Sequence, residues 1–266
     1  MTKLSNKLWR NPITVFLLGT VFGLSVPSLV IKPIQNLIFQ QFVATKNTSG
    51  KQLPLPSNLI SLVSPEGQEL LIQSKSQEDY WYLSSQFVTQ KTQSFCGVAT
   101  MVMVLNALSI PAPVADEYYP IHVFTQDNFF NSKARSVIAP EIVSLRGIAL
   151  DELKPLLESY PVKVQVYHST DTNIEQFRKI VSENLKQPNN FVIVNYLRKA
   201  INQESGGHIS ALAAYNEKAD RFLILDVSRY KYPPVWVKTK DLWKAMATKI
   251  SVSQKTRGFV LVSRNS

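Results

Sequence analysis

Three features of the sequence predict an α+β fold: one strongly apolar helix early in the chain, a change to short β-rich runs in the second half, and turn residues spacing those runs as an antiparallel sheet. The helix is read from residues 97–108, where nearly every position is Val, Ala, Met or Leu. A helix apolar on all sides has to be buried. Ile110-Pro111-Ala112-Pro113 then stops it. Ahead of it lie the aromatic run EDYWYL (78–83) and residues 87–89. The middle of the chain, 114–190, is mixed. It holds the loop TQDNFFNSKARSVIAP (125–140), a helix-like LDELKPLLESY (150–160), a strand-like VKVQVYH (162–168) and an amphipathic helix over 173–185. After Pro188-Asn189-Asn190 the period changes to FVIVNYL, HISALAAY, RFLILDVS and finally RGFVLVS (257–263), the predicted antiparallel sheet.

The chain has 266 residues, 45% hydrophobic and 18% charged, enough for one core of roughly 200 residues plus an appendage. No fixed-period repeat or low-complexity tract appears. One cysteine excludes an intrachain disulfide framework. His122, His168 and His208 have no close Cys or His neighbours, so the usual structural zinc patterns are excluded and no metal ligands are assigned. The net charge of +10 is unevenly placed: residues 1–65 carry six basic and no acidic residues, whereas the rest carries 23 basic and 19 acidic. With no basic patch interleaved with aromatics in the folded part, nucleic-acid binding is not expected.

Residues 13–31 form an uncharged run of nineteen, preceded by Lys3, Lys7 and Arg10. That is close to the ~20 residues that span a bilayer, and the same pattern describes a secretory signal. Residues 1–35 are therefore expected as a membrane anchor or a removed signal, 36–57 as a tether, and 58–266 as the folded domain, membrane-anchored or exported to the periplasm, with a cytoplasmic location as the alternative.

Cys96 opens the predicted buried helix, where free backbone N–H groups and a partial positive charge favour the thiolate that acts as nucleophile. Gln90, six residues earlier, could place a side-chain amide beside the Cys96 N–H as a second oxyanion donor. His208 follows Gly206-Gly207 and opens one strand; Asp226 ends the next, with the turn at 216–220 between them. Residue numbers paired across such a hairpin sum to about 434–438, which lands His208 opposite positions close to Asp226. The carboxylate would then hold the imidazole as base and later acid. Taken singly, each residue has a bland reading: inert core thiol, turn histidine, strand-ending cap. Together, in the order Gln, Cys, His, Asp, they read as an active site.

That order, helix first and sheet later, is the arrangement of papain-like cysteine hydrolases. More narrowly the chain resembles the phytochelatin synthases, through QKTQSFCGVATMVMVLNALSI (90–110), FTQDNFF (124–130), VNYLRKAINQESGGHIS (194–210), LILDVSRYKYPPVWV (223–237) and LWKAM (242–246). The resemblance implies a papain-like fold with a Cys96, His208, Asp226 triad and Gln90 as oxyanion donor. It implies glutathione as substrate, cleaved at its Cys–Gly amide with release of glycine, the γ-glutamylcysteinyl group passing from a thioester to a second glutathione or to water. Arg198, Arg257, Arg229 and Gly207 match positions implied to bind substrate. No bound cofactor is implied; Cd²⁺ or Zn²⁺ would enter as a glutathione thiolate complex, and a homodimer is left open. Plant members carry a cysteine-rich second domain, whereas short bacterial-type members look more like glutathione hydrolases; this chain ends at Ser266 with one cysteine, and has Ile209-Ser210-Ala211 where many members have Ser-Pro. The rival readings are an exported papain-like peptidase of other specificity and a tethered binding module without turnover.

Overall fold

In a computed structural model the described residues are 52–204, 206–250 and 254–265, part of one compact unit, Gly50–Ser266. The expected anchor or signal (1–35) and most of the tether lie outside the described residues. Among the described residues no helix is long and apolar enough to cross a membrane.

In chain order the elements are β1 (Ile60–Ser61), α1 (Pro65–Ile72), α2 (Glu78–Ser85), α3 (Cys96–Ala107), α4 (Ser132–Val137), α5 (Pro140–Arg146) and α6 (Leu150–Leu157). Then come β2 (Val162–His168), α7 (Ile174–Asn184), β3 (Asn190–Leu197), β4 (Gly207–Asn216), β5 (Arg221–Leu225), β6 (Val235–Lys238), α8 (Thr239–Met246) and β7 (Gly258–Arg264). The seven strands form one antiparallel sheet in the order β1-β6-β5-β4-β3-β7-β2. This is the α+β arrangement the sequence predicts, with one strand, β1, drawn from the first half of the chain.

Both faces of the sheet are covered. Val98, Val102 and Leu105 of α3 pack with Ile193, Ala211 and Leu223 in one cluster, while Phe177 of α7 and Leu242 of α8 pack with Val192, Leu212 and Phe222 in the other. A strand buried on two faces has no reason to alternate, which explains why β3 and β4 are continuous apolar runs. In α3 every residue from Cys96 to Leu105 is buried. The one hydroxyl on that stretch, Thr100 Oγ1, donates to Cys96 O at 2.8 Å and reaches Ile209 O at 3.2 Å, tying the start of the helix to β4.

Antiparallel connections bring distant residues to one end of this sheet. β3 and β5 end there, while β4 and β7 begin there; the register pairs Tyr196 with His208, Leu197 with Gly207, and Asn195 with Gly258. Arg198, Gly207, His208, Asp226 and Arg257 therefore share that end, although they span sixty residues of sequence. Gly258 permits the close approach: a Cβ there would fall 1.9 Å from Tyr167 O.

Two expectations change in detail. Within 125–140, read as a loop, Asn131 accepts from Ala134 N at 2.8 Å and starts α4, so an Asn-Ser pair that reads as turn chemistry is a helix cap. The end of the tether is laid against the domain, with Leu53 N donating to Lys231 O and Gln52 Nε2 to Arg229 O, both at 2.8 Å.

Asp79, in the first turn of α2, has no exposed surface, and neither carboxylate oxygen has a hydrogen-bond partner. Burial, and secondarily the charge of Glu78, pushes its carboxyl well above the usual range. A raised folded pKa costs stability as pH climbs from the ordinary carboxylate range, and costs nothing where the group is protonated in both states. Asp79→Asn should accordingly raise unfolding free energy at neutral pH by about 1–3 kcal/mol. Denaturant melts should show that gain vanish below about pH 4, where the unfolded carboxyl is protonated as well.

Candidate active site

Cys96 is the first residue of α3, one position from the helix start read from sequence. At that position the backbone N–H has no intrahelical acceptor and points, with the helix dipole, at the site. The thiol is buried, with the His208 ring and the Ile209 backbone among the groups that act on it. Burial pushes the thiol up; His208, the Ile209 backbone and the Arg198 charge outweigh it, so the net shift is downward, toward thiolate.

His208 Nε2 lies 2.8 Å from Asp226 Oδ1. That bond occupies Nε2, so Nδ1 is the nitrogen available to Cys96. Burial pulls the imidazole down, yet the Asp226 carboxylate and the Cys96 thiolate raise it above its ordinary value. Tyr196, the register partner of His208, places its ring edge-on to the imidazole with centroids 5.7 Å apart. The β4–β5 pairing runs at sums of 436 and 437, inside the expected window. Extended past Leu225 it sets Asp226 diagonal to His208 and not directly opposite, a separation these two side chains still close.

Asp226 has no exposed surface. Burial would raise its carboxyl, but His208 and Arg198 hold it well below the usual range. Arg198 Nη2 donates to Oδ1 at 2.8 Å while Nη1 stands 2.8 Å from Oδ2 as an ion-pair contact, and Ser228 N donates to Oδ1 at 2.8 Å. The guanidinium also donates to Gln203 Oε1 and lies 5.4 Å over the Tyr232 ring. Arg198 is 3% exposed, so the geometry gives it a different task from the substrate contact expected of it: it neutralises Asp226 from behind.

Gln90 is joined to the Asp226 segment by its own N–H, which donates to Val227 O at 2.9 Å. Its Nε2 donates to Thr92 O at 2.7 Å and to Tyr230 Oη at 3.0 Å, while Oε1 accepts from Ser228 Oγ at 2.6 Å. Arg257 is buried without an ion-pair partner among the described residues; its side-chain bonds, to Thr248 and Lys249, are all made by Nη1. Its Nε and Nη2 face Gly207, whose missing Cβ would sit 3.4 Å from Nη2. That leaves half of a guanidinium fork directed at the exposed start of β4. Arg229 is on the surface, stacked on Phe87 at 4.8 Å and donating to Phe87 O.

A cavity of about 540 Å³ between residues 85–91 and 123–127 contains none of these groups. Ser228, Gln203, Tyr230 and Tyr232 are the site residues that the sequence reading passed over. Their signal was position, two to six residues after Asp226 or five after Arg198.

Residues 50–259 match the family model for phytochelatin synthase. The chain belongs to the phytochelatin synthase family. It is 34% identical over 216 residues to glutathione gamma-glutamylcysteinyltransferase 1 of Lotus japonicus, covering 80% of this chain and 42% of that protein. It is 36% identical over 208 residues to glutathione gamma-glutamylcysteinyltransferase 2 of Arabidopsis thaliana, covering 77% and 45%. With the glutathione gamma-glutamylcysteinyltransferase of Schizosaccharomyces pombe the identity is 27% over 212 residues, covering 78% and 50%. The chain thus spans half or less of the length of these relatives.

A thiol lowered and an imidazole raised are shifts in the direction of a thiolate–imidazolium pair. Alkylation of Cys96 by iodoacetamide should therefore continue below the pH at which free thiols, with pKa ≈ 8.5, lose reactivity. Arg198→Met should lift that acid limb toward the free-thiol value and cost about 3–5 kcal/mol in denaturant melts, because it strands a buried carboxylate.

Proposed function

We propose that this chain transfers the γ-glutamylcysteinyl group of glutathione through a Cys96 thioester, in a papain-like site whose triad is completed by His208 and Asp226. The observation that carries the reading is the Nε2 bond of His208 to Asp226, which leaves Nδ1 as the nitrogen that can serve the Cys96 thiol. Sγ attacks the carbonyl carbon of the Cys–Gly amide, forming the C–S bond and placing negative charge on the carbonyl oxygen. The Cys96 N–H and Gln90 Nε2 stabilise that oxyanion. Collapse breaks the C–N bond as the imidazolium gives its Nδ1 proton to the departing glycine nitrogen. His208, now neutral, takes a proton from the incoming amine of a second glutathione or from water, and thioester cleavage returns the thiolate.

Glutathione carries two carboxylates, and the open half of the Arg257 fork beside Gly207 suits one of them. Arg229, exposed and on the segment that follows Asp226, would serve a second, acceptor molecule in this reading. Heavy-metal dependence fits the same scheme as substrate chemistry: Cd²⁺ or Zn²⁺ prefers soft thiolates and would arrive bound to the acceptor glutathione. The basic, apolar amino-terminal segment supports a membrane-anchored or exported enzyme.

The full chain, purified in detergent and given millimolar glutathione with and without Cd²⁺, should release glycine and γ-glutamylcysteine by mass spectrometry, and Cys96→Ala should release neither. A Cd²⁺-dependent (γ-Glu-Cys)₂-Gly product would add chain extension to hydrolysis. No glycine under either condition overturns the reading and favours a peptidase of other specificity. Arg257→Met should raise KM for glutathione roughly tenfold with a smaller change in kcat, since it removes binding common to ground and transition states.

A further inference from the structure

Gln90 can stabilise an oxyanion only if its carboxamide presents nitrogen, not oxygen, to the cleft. In a buried side chain at 3% exposure that orientation has to be imposed by neighbours. Thr92 O accepts one Nε2 proton. Ser228 Oγ donates to Oε1, and the Tyr230 hydroxyl receives the second Nε2 proton. Both amide protons and the amide oxygen are thus held by separate neighbours, which fixes which end of the carboxamide is nitrogen.

We infer that Ser228 and Tyr230 are positioning residues that fix the Gln90 carboxamide as an oxyanion donor before substrate arrives, an inference that rests on the glutathione acyl-transfer reading above. Ser228 does so at two places at once, because its backbone N–H also holds Asp226 Oδ1 at 2.8 Å. The carboxylate that steers His208 and the amide that meets the oxyanion are set by one residue. Tyr230 is the replaceable partner of the Gln90 amide. It is 43% exposed, so it can yield the Gln90 N–H to a substrate carbonyl oxygen and turn its hydroxyl to water. The backbone around it is pinned, with Gln52 holding Arg229 O and Leu53 holding Lys231 O at 2.8 Å, and Lys231 N returning to Ser228 O at 2.7 Å. The exchange is therefore a side-chain motion within a fixed loop.

The test is a double-mutant cycle in the full-length enzyme. Ser228→Ala and Tyr230→Phe should each lower kcat for glycine release about three- to tenfold, the rate equivalent of one hydrogen bond, with KM within about twofold. The double variant should be no slower than the slower single, because both hydroxyls act through the one Gln90 carboxamide orientation. Losses that multiply, an unchanged kcat in either single, or a KM that moves in step with kcat would overturn the inference. The side-chain amide resonances of Gln90, identified by their absence in Gln90→Leu, supply a readout independent of substrate. They should move in both single variants, and unmoved resonances overturn the positioning role. A wild-type enzyme that releases no glycine would refute the acyl-transfer reading and leave the positioning of Gln90 to be judged on those resonances.

Discussion

A carboxylate without exposed surface is the costly part of this site, and the Arg198 guanidinium keeps it charged. Taking a carboxylate out of water costs several kcal/mol even after relaxation, and Asp226 recovers it from a fork of two 2.8 Å contacts, a backbone N–H and the His208 ring. With that charge fixed, the imidazole is raised; with the imidazole raised, the thiol is lowered despite its burial. The proposed chemistry of Cys96 is thus the far end of a chain of electrostatic dependence that starts at Arg198, ten residues before His208 in sequence and in contact with Asp226 in space.

The fold serves that chain by making one sheet end common to β3, β4, β5 and β7 and by aiming the start of α3 at it. Thr100 anchors the helix start to Ile209 O, so the thiol and the imidazole, on adjacent residues of that contact, cannot drift apart without breaking buried hydrogen bonds. Packing on both faces of the sheet holds the strands in register, and Cys96, His208 and Asp226 are buried with it.

Much of this was legible in sequence for identifiable reasons. A run as apolar as residues 97–108 has only a buried helix open to it, and a short polar turn at 216–220 fixes a hairpin sum within two or three units, so Cys96, His208 and Asp226 could be placed before any coordinates. The direction of a long side chain is not encoded in this way. Arg198 could have faced the cleft or the core from the end of β3; the buried Asp226 carboxylate, just past the end of β5, decided it. Asn131 reads equally as turn and as helix cap, and the outcome depended on the α6 packing that α4 meets. Ser228 and Tyr230 carried no motif of their own, because a positioning hydroxyl is recognisable only once the group it positions has a location.

The most direct test of the central claim is the protonation state of His208, read from its two ring ¹⁵N shifts in the resting enzyme at pH 7. The account predicts that both nitrogens carry protons, giving imidazolium shifts, and that Cys96→Ser, which cannot supply a thiolate at that pH, returns the ring toward a neutral tautomer with Nε2 protonated against Asp226. A neutral imidazole in the wild type, or one indifferent to the loss of the thiol, would contradict it.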